Sequence, residues 1–228
     1  NPLAGSAYHN TVIVDEFDQM DRVGKFLWLP WLRSQQRAYA LSPNAFFTYW
    51  EGSHDGYTRL ADPVSHRRGI LRIGDDGWLV VDRLAGSSLH SYRLHWLLAD
   101  LPYQWDRDGA RLVLATDSGP YALSVSVVGG KPVSDLVRAD SEDPRGWHAP
   151  YYMARQPALS FAVQTQAKSC FFCTLFAPPS VGLQVTKEAI SVRYPDAQIQ
   201  IVVAEDAVMP LIRSADAAGS IQDHFRIL

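Results

Sequence analysis

At 228 residues, with 21 Lys and Arg against 24 Asp and Glu, the chain carries a formal charge of −3 and no basic excess with which to hold nucleic acid. Hydrophobic residues at 47% and charged residues at 20% exclude a disordered or fibrous chain, and no apolar stretch approaches the roughly 20 residues a membrane-spanning helix needs. Seven Trp, ten Tyr and nine Phe suit a β-sandwich core and a sugar-binding face equally well.

Taken in order, the chain has a dominant period of two. A strand is expected over 11–14, entered directly from a run that starts without Met or leader, so residue 1 reads as a point inside a longer chain. The stretch 26–37 carries Trp28, Pro30 and Trp31 and reads as an excursion, its indoles packed in the core or against another domain. Strands follow over 45–50, 68–73 and 78–82. Next, Tyr92, Leu94 and Trp96 alternate with Ser91, Arg93 and His95, which puts His95 on the exposed side. After 112–115, Tyr121, Leu123, Val125 and Val127 alternate with smaller residues, and further strands are expected over 160–166, 190–194 and 198–203. Turns fall at Asp75-Asp76-Gly77, Asp108-Gly109 and Gly129-Gly130, whose glycines can take the positive φ of tight hairpins.

The stretch 138–152, with Asp140, Glu142, Asp143, Pro144, Gly146 and Pro150, reads as a long exposed loop ending in aromatics. Cys170 and Cys173 fall in a strand, where their side chains face opposite ways and their Cα atoms stand about 10 Å apart, so two buried free thiols are expected rather than a disulfide or metal pair. The tail from Ala204 has no clear pattern. More than ten strands without a long amphipathic helix predict an all-β, antiparallel two-sheet sandwich, with 1–228 as a single β-sandwich domain.

The run Ser6-Ala7-Tyr8-His9-Asn10-Thr11-Val12, with Asp15 and Gln19, resembles the heparinase II/III-like family of polysaccharide lyases. The resemblance continues through His54-Asp55-Gly56-Tyr57, Val64-Ser65-His66-Arg67-Arg68 and the block from Trp78 to Leu84, then Gly86 and His90, covering about the first hundred residues. It implies the β-sandwich half of a two-part enzyme, of supersandwich type, behind an N-terminal toroid of helices. Such enzymes cleave uronate-containing polysaccharides by β-elimination: a base removes the proton beside the uronate carboxylate, that carboxylate is neutralised, and an acid protonates the departing oxygen. The resemblance places those groups upstream, so no catalytic residue is assigned here and the chain alone should be inactive. It also implies an acidic polysaccharide and the helical domain as partners, and a bacterial periplasmic or extracellular location.

Weighed singly, His9 resembles a zinc ligand whose partners would lie upstream; the plainer role is a hydrogen-bonded strand anchor. Substrate contacts are expected from His54, Tyr57 and Arg67, since a guanidinium can grip a carboxylate with two bonds, although His66, Arg67 and Arg68 could equally form ion pairs within the fold. His90 reads as a loop anchor. Trp147, His148, Tyr151 and Tyr152 could stack on sugar rings or pack against the helical domain. The competing reading of the whole chain is a non-catalytic carbohydrate-binding or structural β module.

Overall fold

The computed structural model describes residues 2–43, 45–142, 144–151, 153–203, 208–216 and 220–226. Asp143, Tyr152 and residues 204–207 of the patternless tail lie outside them. Two short 3-10 turns, Pro2–Ala4 and Ser6–Tyr8, lead into β1 (Val12–Val14). A small hairpin of β2 (Asp21–Arg22) and β3 (Trp28–Leu29) precedes β4 (Ser34–Leu41), β5 (Phe47–His54), β6 (Ser65–Ile73) and the 22-residue β7 (Gly77–Leu98). Then come β8 (Tyr103–Asp106), β9 (Arg111–Thr116), β10 (Gly119–Val128), β11 (Val133–Arg138), β12 (Trp147–His148), β13 (Gln156–Pro157) and the 19-residue β14 (Leu159–Ala177). A second group, β15 (Gly182–Val185), β16 (Ala189–Arg193), β17 (Ala197–Val202), β18 (Leu211–Asp216) and β19 (Ile221–Arg226), closes the chain.

The first group makes a ten-stranded sheet in the order β4-β5-β6-β7-β14-β10-β9-β8, with β1 beside the second half of β7 and β11 beside the first half of β14. The last five strands form an antiparallel meander, so the architecture is the two-sheet sandwich that the alternation predicts. Inward residues of β5, β6, β7 and β14, among them Tyr49, Leu71, Leu79 and Leu175, meet Ile190, Val192, Ile199, Ile201 and Ile212 of the smaller sheet in one core. Each such fully buried apolar side chain stabilises the fold by about 1.5–3 kcal/mol.

A second core lies where the large sheet closes on itself. The β7–β14 register breaks between Ala167 and Ser169, opposite His90 and Ala85, and the strands bend there. In consequence Trp96, paired with Phe161, donates its indole N–H to Thr174 at 3.2 Å, although Thr174 pairs with Val80 far along the same two strands. Tyr92, Leu94, Phe161 and Phe172 fill the fold thus made. Cys170 lies in this core and Cys173 in the other; both are free and buried, and burial pushes the Cys170 thiol up to about 12.

Several expectations need correction. Residues 34–37 are not an excursion but the start of the edge strand β4, whose polar residues hide the alternation until Ala38 and Ala40 turn inward. Trp31 is 77% exposed and belongs to neither core; with Val23, Phe26, Leu27 and Leu29 it makes the β2–β3 hairpin an exposed apolar projection. His95 is 1% exposed rather than on the open side, because β1 and its leading residues cover that face of β7. The positive φ of the first two turns falls on Gly74 and Ala110, not on Gly77 or Gly109.

Candidate functional site

Cross-strand pairing sets His54 of β5 opposite His66 of β6, and Arg68 of β6 opposite Asp82 of β7. On that face the Gly56 N–H donates to His54 Nδ1 at 3.2 Å, which leaves the His54 proton on Nε2, facing His66 Nδ1 at 2.8 Å. His66 then carries its own proton on Nε2 and donates it to Asp82 Oδ1 at 2.7 Å. Arg68 closes the row with a two-bonded grip on Asp82 at 2.7 and 2.9 Å. Burial opposes ionisation of Asp82, but Arg68 and His66 outweigh it and hold the carboxyl down at about 2. Burial, with the neighbouring His66, lowers His54 to about 4. Both nitrogens of both rings are thus engaged inside the protein, and His54 stays uncharged near neutrality.

The leading segment lies against this row. Arg68 Nη1 donates to the Asn10 carbonyl at 2.6 Å, and the Asn10 side-chain oxygen accepts the Leu97 N–H at 2.7 Å. Gln19 bonds Thr11 through its side-chain amide at 3.0 Å and Ser6 through its backbone N–H at 3.1 Å. His95 Nδ1 donates to the His9 carbonyl at 3.0 Å, so its Nε2 accepts the Ser160 hydroxyl at 2.7 Å. Arg145 in turn donates to Ser160 Oγ and O, at 3.1 and 3.2 Å, pinning the residues before β12 to β14. Burial lowers His95 to about 4, so it is a neutral structural link.

The other expected contact residues are distributed along and around this row. His148 is exposed and borders a crevice with Leu97, Leu98, Asp100 and Gln156, next to the strand that Asn10 holds. Trp147 donates to the Asp140 carbonyl at 2.8 Å and lies under Arg155, whose guanidinium carbon is 4.1 Å from the ring centre. Tyr151 is exposed. Tyr57 is fully buried, donates to the Val12 carbonyl at 2.8 Å and is pushed upward in pKa by burial, so it anchors β1 and offers nothing to solvent. Arg67 points to the opposite face from His66 and Arg68 and pairs with Glu51. The structure therefore brings His54 and, through Asn10 and Leu97, His148 onto one side and turns Arg67 to the other face, while a groove at the strand ends is lined by His54, His66 and Arg67 together.

His90 bridges two carboxylates, with Nδ1 at 2.6 Å from Asp15 and Nε2 at 2.9 Å from Asp62. Asp15 also accepts the Ser91 N–H and Asp62 the Ser88 N–H. Both ring nitrogens must donate, so the ring is an imidazolium; burial opposes that charge, and the two carboxylates overcome it and raise the His90 pKa. Asp62, Glu51, Ser160 and Arg145 have no local signature in the sequence, because each finds its partner on an element distant along the chain.

His9 itself is exposed, and among the described residues no three His, Cys, Asp or Glu side chains gather as a metal requires. The groups present do not compose a zinc centre.

Residues 1–208 match the family described as Heparinase II/III-like, C-terminal. The chain belongs to that family. Its fold is similar to the heparan sulfate lyase HepC from Pedobacter heparinus, with a TM-score of 0.66 at 13% identity over 87% of this chain and 30% of that one. A crystal structure titled Heparinase III gives a TM-score of 0.63 at 12% identity, covering 98% of this chain and 30% of that one. The chain thus spans about 30% of the length of these structures. No curated protein sequence matches it.

Proposed function

We propose that this chain is the β-sandwich part of a lyase that cleaves a uronate-containing polysaccharide by β-elimination, and that the side bearing His9, Asn10, His54 and His148 forms one wall of the substrate cleft. The family match over residues 1–208 carries this reading. The closed hydrogen-bond row supports the division of labour: with every nitrogen of His54, His66 and His95 committed to protein partners, none is free to move a substrate proton. These residues shape and stiffen the wall, while base, acid and carboxylate-neutralising groups come from the helical part of the longer protein, the partner domain. Trp147, His148 and Tyr151 supply ring faces and edges for sugars at the wall's far end. Zinc enters this reading only as a structural ion for which His9 would be one ligand of several, the rest lying outside this chain. An acidic polysaccharide is met outside the bacterial cytoplasm, so the protein works in the periplasm or beyond the cell. In the chain, no described helix is long and apolar enough to cross a membrane.

The deciding experiment incubates the full-length protein with alginate, heparan sulfate, hyaluronan and bacterial exopolysaccharides and follows the ultraviolet absorbance of the unsaturated uronate product. Product from at least one polymer is expected. None from any of them, with retained glycan binding, would leave the non-catalytic module.

A further inference from the structure

On the face opposite the histidine row, the smaller sheet covers the large one only part of the way. Val208 and Met209, entering β18, pack over Gly69, and the Val208 N–H donates to the fully buried Glu51 at 3.0 Å. One residue pair further along β5 and β6 the cover ends, and the same face becomes basic. There a groove is lined by Arg33, Arg37 and Arg67 and by the hydroxyls of Ser53, Thr58 and Ser65, and it reaches His54 and His66 at the end of the histidine row.

The backbone aims these cations. Between Gln36 and Ala38 the β4–β5 register shifts, leaving Arg37 as the extra residue of a bulge, a device that redirects a side chain out of the alternation. Its Nε bonds Ser53 Oγ at 2.9 Å, which holds the guanidinium over the groove with no further partner among the described residues. Arg33 is fixed by its backbone N–H, which donates to Asp55 Oδ1 at 2.6 Å, while its guanidinium has no partner among the described residues. Arg67 neutralises Glu51 behind the groove and stays partly exposed. Among the described residues Asp55 is the one carboxylate in the lining, and it already accepts a hydrogen bond. On a chain with net charge −3, Arg33 and Arg37, with Arg67 already paired to Glu51, outnumber the Asp55 carboxylate and make a local positive site.

The geometry points to a second polysaccharide contact: an oxyanion subsite in which Arg33 and Arg37, backed by Arg67 and flanked by hydroxyl donors, bind a sulfate ester or carboxylate of an acidic glycan at the edge of the cleft wall, beside His54. Planar forks and hydroxyls match an oxyanion's several acceptors, whereas a neutral sugar would leave the guanidiniums unanswered. The inference takes the source of the anion, an acidic glycan, from the function proposed above; the cations and their aim are independent of it.

The test uses the full-length protein with two size-matched probes, a heparan sulfate decasaccharide and its unsulfated N-acetylheparosan counterpart, and measures Kd by calorimetry across a salt series. Arg33→Ala/Arg37→Ala should weaken binding of the sulfated probe about tenfold and flatten its salt dependence, with the loss in any cleavage assay falling on KM. A smaller loss with the unsulfated probe would mark sulfate as the group held, and equal losses would mark carboxylate. Lys187→Ala, an exposed cation between β15 and β16, should bind as the parent does. Arg33→Glu/Arg37→Glu should abolish the effect of added sulfate groups altogether. If the double alanine variant binds both probes as the parent does, the subsite is refuted whether or not the protein is a lyase. If the variant loses binding while no polymer yields unsaturated product, the subsite stands and the lyase reading falls.

Discussion

His66 and His90 both meet carboxylate oxygens across β7 and its neighbours, the buried Asp82 for one and the partly exposed Asp15 and Asp62 for the other, and they hold opposite roles because of what occupies the second nitrogen. At His66 the second nitrogen faces His54, and Asp82 shares its charge with Arg68, so the negative charge is balanced by the guanidinium and His54 ends the row as an uncharged spacer. At His90 the second nitrogen faces another carboxylate, and only an imidazolium satisfies both. The first arrangement stiffens a wall. The second is a clasp between the turn after β1 and the segment before β6, and its strength depends on one proton.

The contrast is broken most severely at Asp82, which is fully buried. Asp82→Ala leaves the Arg68 guanidinium and the His66 N–H without their acceptor, and should cost about 3–5 kcal/mol, read as a fall in the urea midpoint at constant slope. A loss under about 1 kcal/mol would mean that solvent replaces the carboxylate freely and that the row is not a bracing element.

The clasp should respond next, at about 2 kcal/mol for His90→Gln near pH 5, since one neutral amide cannot donate to both carboxylates as an imidazolium does. Its pH dependence has a fixed sign. The raised His90 pKa means that its contribution is complete below the unfolded value of about 6.5 and is lost as pH rises through the higher folded value. The lowered Asp62 pKa, held down first by His90 against a small burial effect, makes its contribution complete above about 3.9 and lost as pH falls below that. The stability difference between parent and His90→Gln should therefore be greatest between about pH 4 and 6.5 and shrink on both sides. A difference that grows from pH 7 to 9 would refute the charged clasp.

The same contrast explains what could be read from the residues in order. Alternation at Tyr92, Leu94 and Trp96 is a local property, and it found β7; the opposite facing of Cys170 and Cys173 in β14 likewise follows from the pleat alone. Loop anchoring by His90 was legible from the turn-forming residues before it, but its two acceptors, 75 and 28 residues away, were not. His95 was misplaced for a related reason: strand alternation tells which residues share a face, while the cover on that face comes from the leading segment at His9. Arg67 and Arg68 look equivalent in sequence, and the pleat sends one to Glu51 and the other to Asp82. The polar strand β4 escaped because an edge strand with solvent on one side needs little hydrophobic signal at its open end.

The mildest test lies at Gly56, whose N–H fixes the His54 tautomer. A Cβ there would stand 2.8 Å from the Gln19 carbonyl oxygen and 3.1 Å from His54 Nδ1. The carbonyl belongs to the backbone beside the leading segment and cannot swing away, so Gly56→Ala should cost about 1 kcal/mol through a small backbone shift. Loosening that one bond should nevertheless leave His54 uncharged near neutrality, because burial comes first among the causes that hold it at about 4, followed by His66, with Arg68 adding to the effect. Histidine ring resonances followed by NMR from pH 4 to 8 would decide. In the variant, as in the parent, His54 should finish titrating at the acid end while His90 titrates above the ordinary value. A His54 that titrates near 6.5 in Gly56→Ala would transfer the control of its charge from the closed wall to the single glycine amide.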